Sequence, residues 1–365
     1  MADPRLPPFS VAALFGDPRV DRWLATALLT VAVAYVCGLA RLRKRGAGWP
    51  IGRTVAFLGG GVGLVGFATM SGLGTYDDTS FAVHMVQHML LSMVAPIFLA
   101  LGAPITLALR TAPKPVRRGL LAALHSRFGR LCSFPLVGWG LFVTSPFALY
   151  FTGWYPASLD NEVLHSLLHV HFLLVGCLFF WPILGIDPIP GRQPHPFRFL
   201  IVVSTLPFHA ILGLSIYNQT TVIAAEHYYG LKLSWLDPVS QQRIGGGLLW
   251  SSGEIVGLIM LGVVAGQGMR ASEREAVRED RRLDRLEAVQ AAARLAAEQR
   301  PAEQSAAARP PAAPEAERPP PAAGPAAEEL PALRRPAADI MTQGQAARPG
   351  VPAVSADKEV PYDIG

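Results

Sequence analysis

Cysteine is nearly absent: the chain of 365 residues has three, Cys37, Cys132 and Cys177, each isolated. No CxxC pair and no secreted disulfide spacing is present, which excludes a disulfide scaffold and a thiolate zinc site. Charge is also scarce, at 16% of residues, well below the soluble norm of about 25%. No phosphate-binding loop, dinucleotide fingerprint, internal repeat or nucleophile–base pair occurs. No soluble catalytic domain is recognisable either, so hydrolase or transferase chemistry is not expected and the chain reads as a non-enzyme. The sequence pI is near 9.3, but the lysines and arginines fall in short loops between apolar runs, which argues against nucleic acid as a partner.

Long apolar runs are abundant: 51% of residues are hydrophobic and mean hydropathy is +0.31. Seven segments stand out, at roughly 21–40, 53–72, 81–101, 134–152, 163–184, 199–218 and 246–266. Each is close to the ~20 residues that a helix needs to cross ~30 Å of hydrocarbon. Lipid leaves no water for unpaired backbone groups, so the expected fold is all-α, a polytopic bundle of seven transmembrane helices. The glycine run Gly59-Gly-Gly-Val-Gly63 falls within the second segment, where it suits close helix packing.

Charge asymmetry sets the expected topology. The loops after segments one, three and five carry thirteen Lys and Arg; the N-terminal segment and the remaining loops carry five. The positive-inside rule then puts the N-terminus outside and the C-terminus in the cytoplasm. The basic cluster Arg41, Arg43, Lys44 and Arg45 follows the first apolar run, the reverse of a secretory signal peptide. Four regions are expected: an extracytoplasmic segment 1–20, the membrane domain 21–270, a charged cytoplasmic helix 271–300 and a disordered Ala/Pro-rich tail 301–365. The charged helix alternates arginines and acids at helical spacing, and the tail has too little apolar content to fold.

Into this apolar chain the sequence inserts histidines in pairs. His84 and His88 open the third segment; His165 and His169 open the fifth. An i, i+4 spacing places both imidazoles of a pair on one helical face. Both segments enter from the outer side, so the two pairs fall at matching depth, with His88 and His169 roughly 10 Å below the surface. Ionisable side chains in a membrane are costly and mark functional sites. The expected site is a metal centre of His84, His88, His165 and His169, with Met85 and Met89 as thioether donors. His171, His209 and Glu254 are the candidate supporting groups. Imidazole with thioether favours copper over zinc. His125, His195 and His227 read as loop histidines, and Asp77 and Asp78 as solvated loop acids.

Haem is the rival cofactor, since one histidine from each pair could supply axial ligands. An i, i+4 pair is too close for the two faces of one porphyrin and suits two ligands on one ion. A membrane redox protein holding b-type haem therefore stays open beside a copper carrier. A transporter relaying protons or metal through the histidines and Glu254 is a third reading.

Several motifs resemble one family. The run His84-Met-Val-Gln-His-Met-Leu-Leu91 is followed by Ala103-Pro104. Downstream come Phe180-Trp-Pro182 with Asp187-Pro188, then Gln241-Gln-Arg-Ile-Gly-Gly-Gly-Leu-Leu-Trp-Ser-Ser-Gly-Glu254. Together, over about residues 20–270, they resemble the polytopic CtaG-type cytochrome c oxidase assembly factors. Leu249 stands where that pattern leads one to expect methionine. The resemblance implies a bacterial plasma-membrane protein needed to mature a haem–copper oxidase, with copper insertion as its chemistry. The oxidase subunits, a copper donor protein and the lipid bilayer would be its partners.

Overall fold

The computed structural model describes residues 7–307 except Asp17, Arg19 and Arg192, and side chains up to residue 297. The expected tail lies outside the described residues from 308 onward, and the expected segment 1–20 is described only in part. Among the described residues the secondary structure is helical throughout. Six helices are long and apolar enough to cross a membrane, or seven if one bent pair is a single span.

Helix α1 is Arg22–Lys44, capped by Asp21, whose carboxylate accepts from Trp23 N and Leu24 N. Helix α2 spans Ile51–Tyr76, with a break at Ser71, and α3 spans Phe81–Thr111. Both contain π-helical turns, Ala56–Gly63 in α2 and Leu90–Val94 in α3. In α3 the cause is Pro96. It cannot donate to the Ser92 carbonyl four residues back, and its ring would strike that carbonyl in a regular helix. In α2 the widened stretch holds the glycine run. A Cβ on Gly60 or Gly61 would land 2.4 Å from Phe98 Cγ or 2.5 Å from Leu99 Cδ2 of α3. The two helices approach closely because those side chains are missing.

After Thr111 comes a surface helix, α4, Lys114–His125. The fourth apolar segment is a helix within the expected bounds, and the departure follows it. Helix α5, Pro135–Phe151, stops at Thr152, and α6, Trp154–Asp160, leaves it at 71°. The stretch 153–162 was expected as a plain loop; instead most of it is α6. Helix α7, Glu162–Leu184, is capped by Asn161 through Val163 N and Leu164 N. Helix α8 is His195–Asn218, α9 is Ala225–Gly230 inside the stretch expected to be loop, and α10 is Pro238–Ala307. The seventh apolar segment and the charged stretch 271–300 are thus parts of one helix.

The core lies between α3, α5, α7, α8 and the first half of α10, around Met85, Phe142, Phe172, Phe180 and Ile216. Its tightest crossing is α3 on α7, where a Cβ on Gly176 would sit 2.2 Å from the Ser92 oxygen. The end of α3 near Thr111 is fixed by Asp187. Its carboxylate accepts from Thr106 N (2.8 Å), Thr106 Oγ1 (2.6 Å) and Trp181 Nε1 (2.9 Å). It thereby caps the turn that begins at left-handed Ala103 and Pro104. Arg198, counted above among loop cations, is buried and donates to Ile183 O and Gln267 Oε1.

Candidate metal centre

The sequence pattern places His84 and His88 in the first two turns of α3, which starts at its N-cap Ser80. Asn161 starts α7 four residues before His165 and eight before His169. Both caps sit at the same end of the bundle, so the two histidine pairs meet. The His84 and His165 rings lie 6.2 Å apart, and those of His165 and His169 4.7 Å apart.

The partner that joins them is Asp77, in the short turn between α2 and α3. His165 Nε2 donates to Asp77 Oδ2 at 3.0 Å. His169 Nε2 lies 3.2 Å from the same oxygen, outside hydrogen-bond angle, and has no hydrogen-bond partner among the described residues. Asp77 and Asp78 were expected to be solvated. They are 2% and 7% exposed, because the turn 77–80 is covered by residues 225–241. His227 of α9 bonds the Asp78 carbonyl at 2.7 Å, and Ser80 Oγ donates to Gln241 Oε1 of α10 at 2.6 Å. Burial alone would raise the Asp77 carboxyl, but the hydrogen bond from His165 and the close His169 imidazole outweigh it and hold the group well below the usual carboxylate range.

His84 and His88 share another group. Tyr150 Oη lies 3.0 Å from His84 Nε2 and 2.9 Å from His88 Nδ1. A phenol has one proton, so it donates to one imidazole and accepts from the other, which gives the two rings opposite roles. His84 Nδ1 is buried and has no hydrogen-bond partner among the described residues. The His88 ring stacks on Phe172 at 3.7 Å. Beside them Tyr155 of α6 and Tyr228 of α9 share a hydrogen bond of 2.6 Å at the same end of the bundle.

The remaining candidates are dispersed. Met85 and Met89 are buried in the main core, Met85 against Gly245 of α10. His171 is exposed, because two residues beyond His169 turn it roughly 200° around the helix. His209 is buried lower down, beside Phe142 and Gly253. Glu254 is half-buried on α10, and among the described residues no hydrogen bond or ion pair reaches it. Sequence reasoning missed Asp77, Tyr150, Tyr155 and Tyr228. The signals were present: an acid four residues before α3, and tyrosines flanking loops that looked featureless.

Asp77, His165 and His169 each offer one donor atom, all within 4.8 Å of one another. Ligands at ~2.1 Å from one ion in tetrahedral array stand about 3.4 Å apart, so separations of 3.0 and 3.2 Å fit with small adjustment. The unsatisfied His169 Nε2 supports the fit. Two imidazoles and a carboxylate suit Cu(II), Zn(II) or Fe(II) better than Cu(I), and copper binds such a set most tightly.

These features define a polytopic membrane protein with a buried histidine–aspartate cluster at one end of its bundle. Residues 33–271 match the family model of the cytochrome c oxidase caa3 assembly factor, Caa3_CtaG, and the chain belongs to that family. An uncharacterized protein of Mycobacterium bovis is 37% identical over 285 residues, covering 76% of this chain and 43% of the relative. An uncharacterized protein of Mycobacterium leprae is 38% identical over 286 residues, with the same coverage. The chain spans less than half the length of these relatives. No solved structure matches it.

Proposed function

We propose that this chain assists maturation of a haem–copper cytochrome c oxidase in the bacterial plasma membrane by holding copper in transit. The cargo site is Asp77, His165 and His169, with His84 as a fourth donor from α3. The observation that carries this reading is the convergence of two imidazole nitrogens on one buried carboxylate oxygen, in a chain of this family. His88 is held by Tyr150, and Met85 and Met89 serve α3 as packing groups beside the site. Tyr150 orients His84, and the Tyr155–Tyr228 pair excludes water from above.

The chemistry is ligand exchange, with no bond of the chain made or broken. Imidazole nitrogens bind metal only when unprotonated, so the Nε2 proton of His165 must leave that nitrogen as copper enters, moving to Nδ1 of a neutral ring or to solvent from an imidazolium. On departure the same hydrogen bond re-forms, which keeps the buried carboxylate satisfied and favours release to an oxidase subunit. A donor protein outside the membrane would reload the site, which sits at the end expected to face outward.

The test is the metal content and visible spectrum of the full chain, purified in mild detergent from copper-supplemented cells. About one copper per chain, lost in Asp77→Asn and His165→Gln/His169→Gln together with oxidase maturation, is the expected result. Copper absent from the unaltered chain, copper unaffected by these changes, or a Soret band tracking the protein would each overturn the reading.

A further inference from the structure

The opposite end of the bundle carries a second polar feature that the oxidase reading does not use. Helix α1 ends in Arg41, Arg43, Lys44 and Arg45, while α3 ends in Arg110 and α4 begins Lys114-Pro-Val-Arg117-Arg118. Where these ends meet they border an open hollow of about 440 Å³, lined by Arg45, Arg110 and Arg117 with Leu42, Thr106 and Leu109. Three guanidinium groups therefore border one hollow with no acid among its lining residues. Among the described residues no carboxylate forms an ion pair with any of the three. Asp187, the nearest acid in sequence to the lining, is occupied by Thr106 and Trp181.

Two of these arginines, Arg45 and Arg110, are also held in place. Arg45 donates from Nη1 to the Arg110 carbonyl at 2.6 Å and from Nη2 to the Thr111 carbonyl at 3.3 Å, closing the last turn of α3. Arg110 lies over the Trp49 ring at 5.9 Å, and Arg53 over the same ring at 5.1 Å. Trp49 is anchored in turn by its Nε1–H to Tyr35 Oη. Ordered guanidinium groups lose little freedom on binding an anion and present paired donors to phosphate oxygens.

Helix α4 supplies an independent observation. Lys114, Arg117, Arg118 and His125 alternate with Val116, Leu120, Leu121 and Leu124, so one face is basic and the other apolar. Nevertheless no residue of α4 is buried, and Val116 is 58% exposed. Leu120, Leu121 and Leu124 are half-buried, so the apolar face is covered only in part, and a basic amphipathic helix of this kind lies in the headgroup layer of a membrane. That depth is where a cavity between helix ends meets lipid headgroups.

We infer that this cavity binds the phosphodiester headgroup of an anionic phospholipid, with Arg45, Arg110 and Arg117 on the phosphate. Leu42 and Leu109 line it on the apolar side, where the glycerol and acyl chains continue into the bilayer. The α4 helix rests in the same leaflet and keeps Arg117 over the site. The bound lipid would pin the α1 and α3 ends together, 26 residues along α3 from His84.

The test is lipid retention by the full chain, purified in mild detergent and titrated with phosphatidylglycerol or phosphatidylcholine under native mass spectrometry. Phosphatidylglycerol is expected to stay bound to the unaltered chain and phosphatidylcholine is not. One cation near anionic lipid is worth about fivefold in binding, so Arg117→Glu should weaken retention more than tenfold. The Arg117 side chain is exposed and has no hydrogen bond or ion pair among the described residues, which makes loss of folding unexpected; Arg110→Gln provides a second, charge-removing variant. Arg278→Glu on α10 is the control with the same charge change elsewhere. Equal retention of the two lipids, or an equal loss in Arg278→Glu, would overturn the inference. So would inorganic phosphate alone stabilising the chain as much as phosphatidylglycerol, which would make this a free-phosphate site.

Discussion

Asp77 accepts a hydrogen bond from His165 across 88 residues of sequence, with Nε2 and Oδ2 3.0 Å apart in a turn that solvent scarcely reaches. The bond ties the α2–α3 turn to α7. A carboxylate this buried must keep its partners to remain charged, and the contacts with His165 and His169 lower its pKa.

Asp77→Asn should therefore lower stability at neutral pH by about 2 kcal/mol, a drop in Tm of roughly 4–8 °C. The sign of its pH dependence follows from the direction of the shift. A carboxyl whose folded pKa is depressed stabilises the fold fully above its unfolded value near ~4, and that contribution fades as pH falls further. The gap between variant and parent should stay constant from pH 7 to pH 5 and shrink toward pH 3. Thermal denaturation in detergent at these pH values is the check; a gap that widens on acidification would contradict the assignment.

Copper binding at Asp77, His165 and His169 should release protons. Stopped-flow mixing of Cu(II) with weakly buffered protein and a pH indicator should show acidification, about one proton per copper. In His165→Gln the signal should disappear. A proton signal that is unchanged in His165→Gln would mean that copper sits elsewhere.

Tyr150→Phe removes the one hydroxyl that serves both His84 and His88. Two buried imidazole nitrogens would lose their partner, at a cost of about 1–3 kcal/mol each. A fall in Tm well beyond that of Tyr217→Phe, on the exposed face of α8, is expected. Equal Tm values would show that the two histidines find other partners.

Gly176→Ala should be among the most damaging small changes in the bundle. Its Cβ would meet backbone at Ser92 and the Pro96 ring at 2.6 Å, neither of which can rotate away. Overpacking of this kind costs about 1–3 kcal/mol, so membrane levels and Tm should both fall. Gly140→Ala, with open space around its Cα, is the matched control that should change neither.

Asp187→Ala should release the N-terminal turn that follows Ala103, since three hydrogen bonds of 2.9 Å or shorter are lost together. Asp187→Asn keeps one acceptor but can turn an NH2 group toward the Trp181 N–H, so it should be intermediate. Faster amide exchange at Ile105 and Thr106 is the readout. Exchange unchanged in both variants would mean that the cap contributes nothing.

The order of the apolar segments, their helical character and the paired histidines were legible from the chain alone, because lipid allows few backbone solutions and an i, i+4 spacing has one geometric meaning. The motifs shared with the family were legible too, though not the reason for each. Asp187 reads as a family residue; that it caps a turn 81 residues away follows only from the fold. Gln241 and Gln242 open a motif, and the structure shows them fastening Ser80 and the backbone around Ile216, Thr221 and Ile223.

Local sequence determined that two imidazole pairs lie at one depth near one end of the membrane, since helix rise and the N-caps at Ser80 and Asn161 settle it. Tertiary structure alone decided that Asp77 is buried between them and that Tyr150 takes up His84 and His88. Whether a turn carboxylate meets water or an imidazole depends on what covers it. Here the cover comes from α9 and the start of α10, about 150 residues downstream of the turn, through contacts that no local pattern encodes.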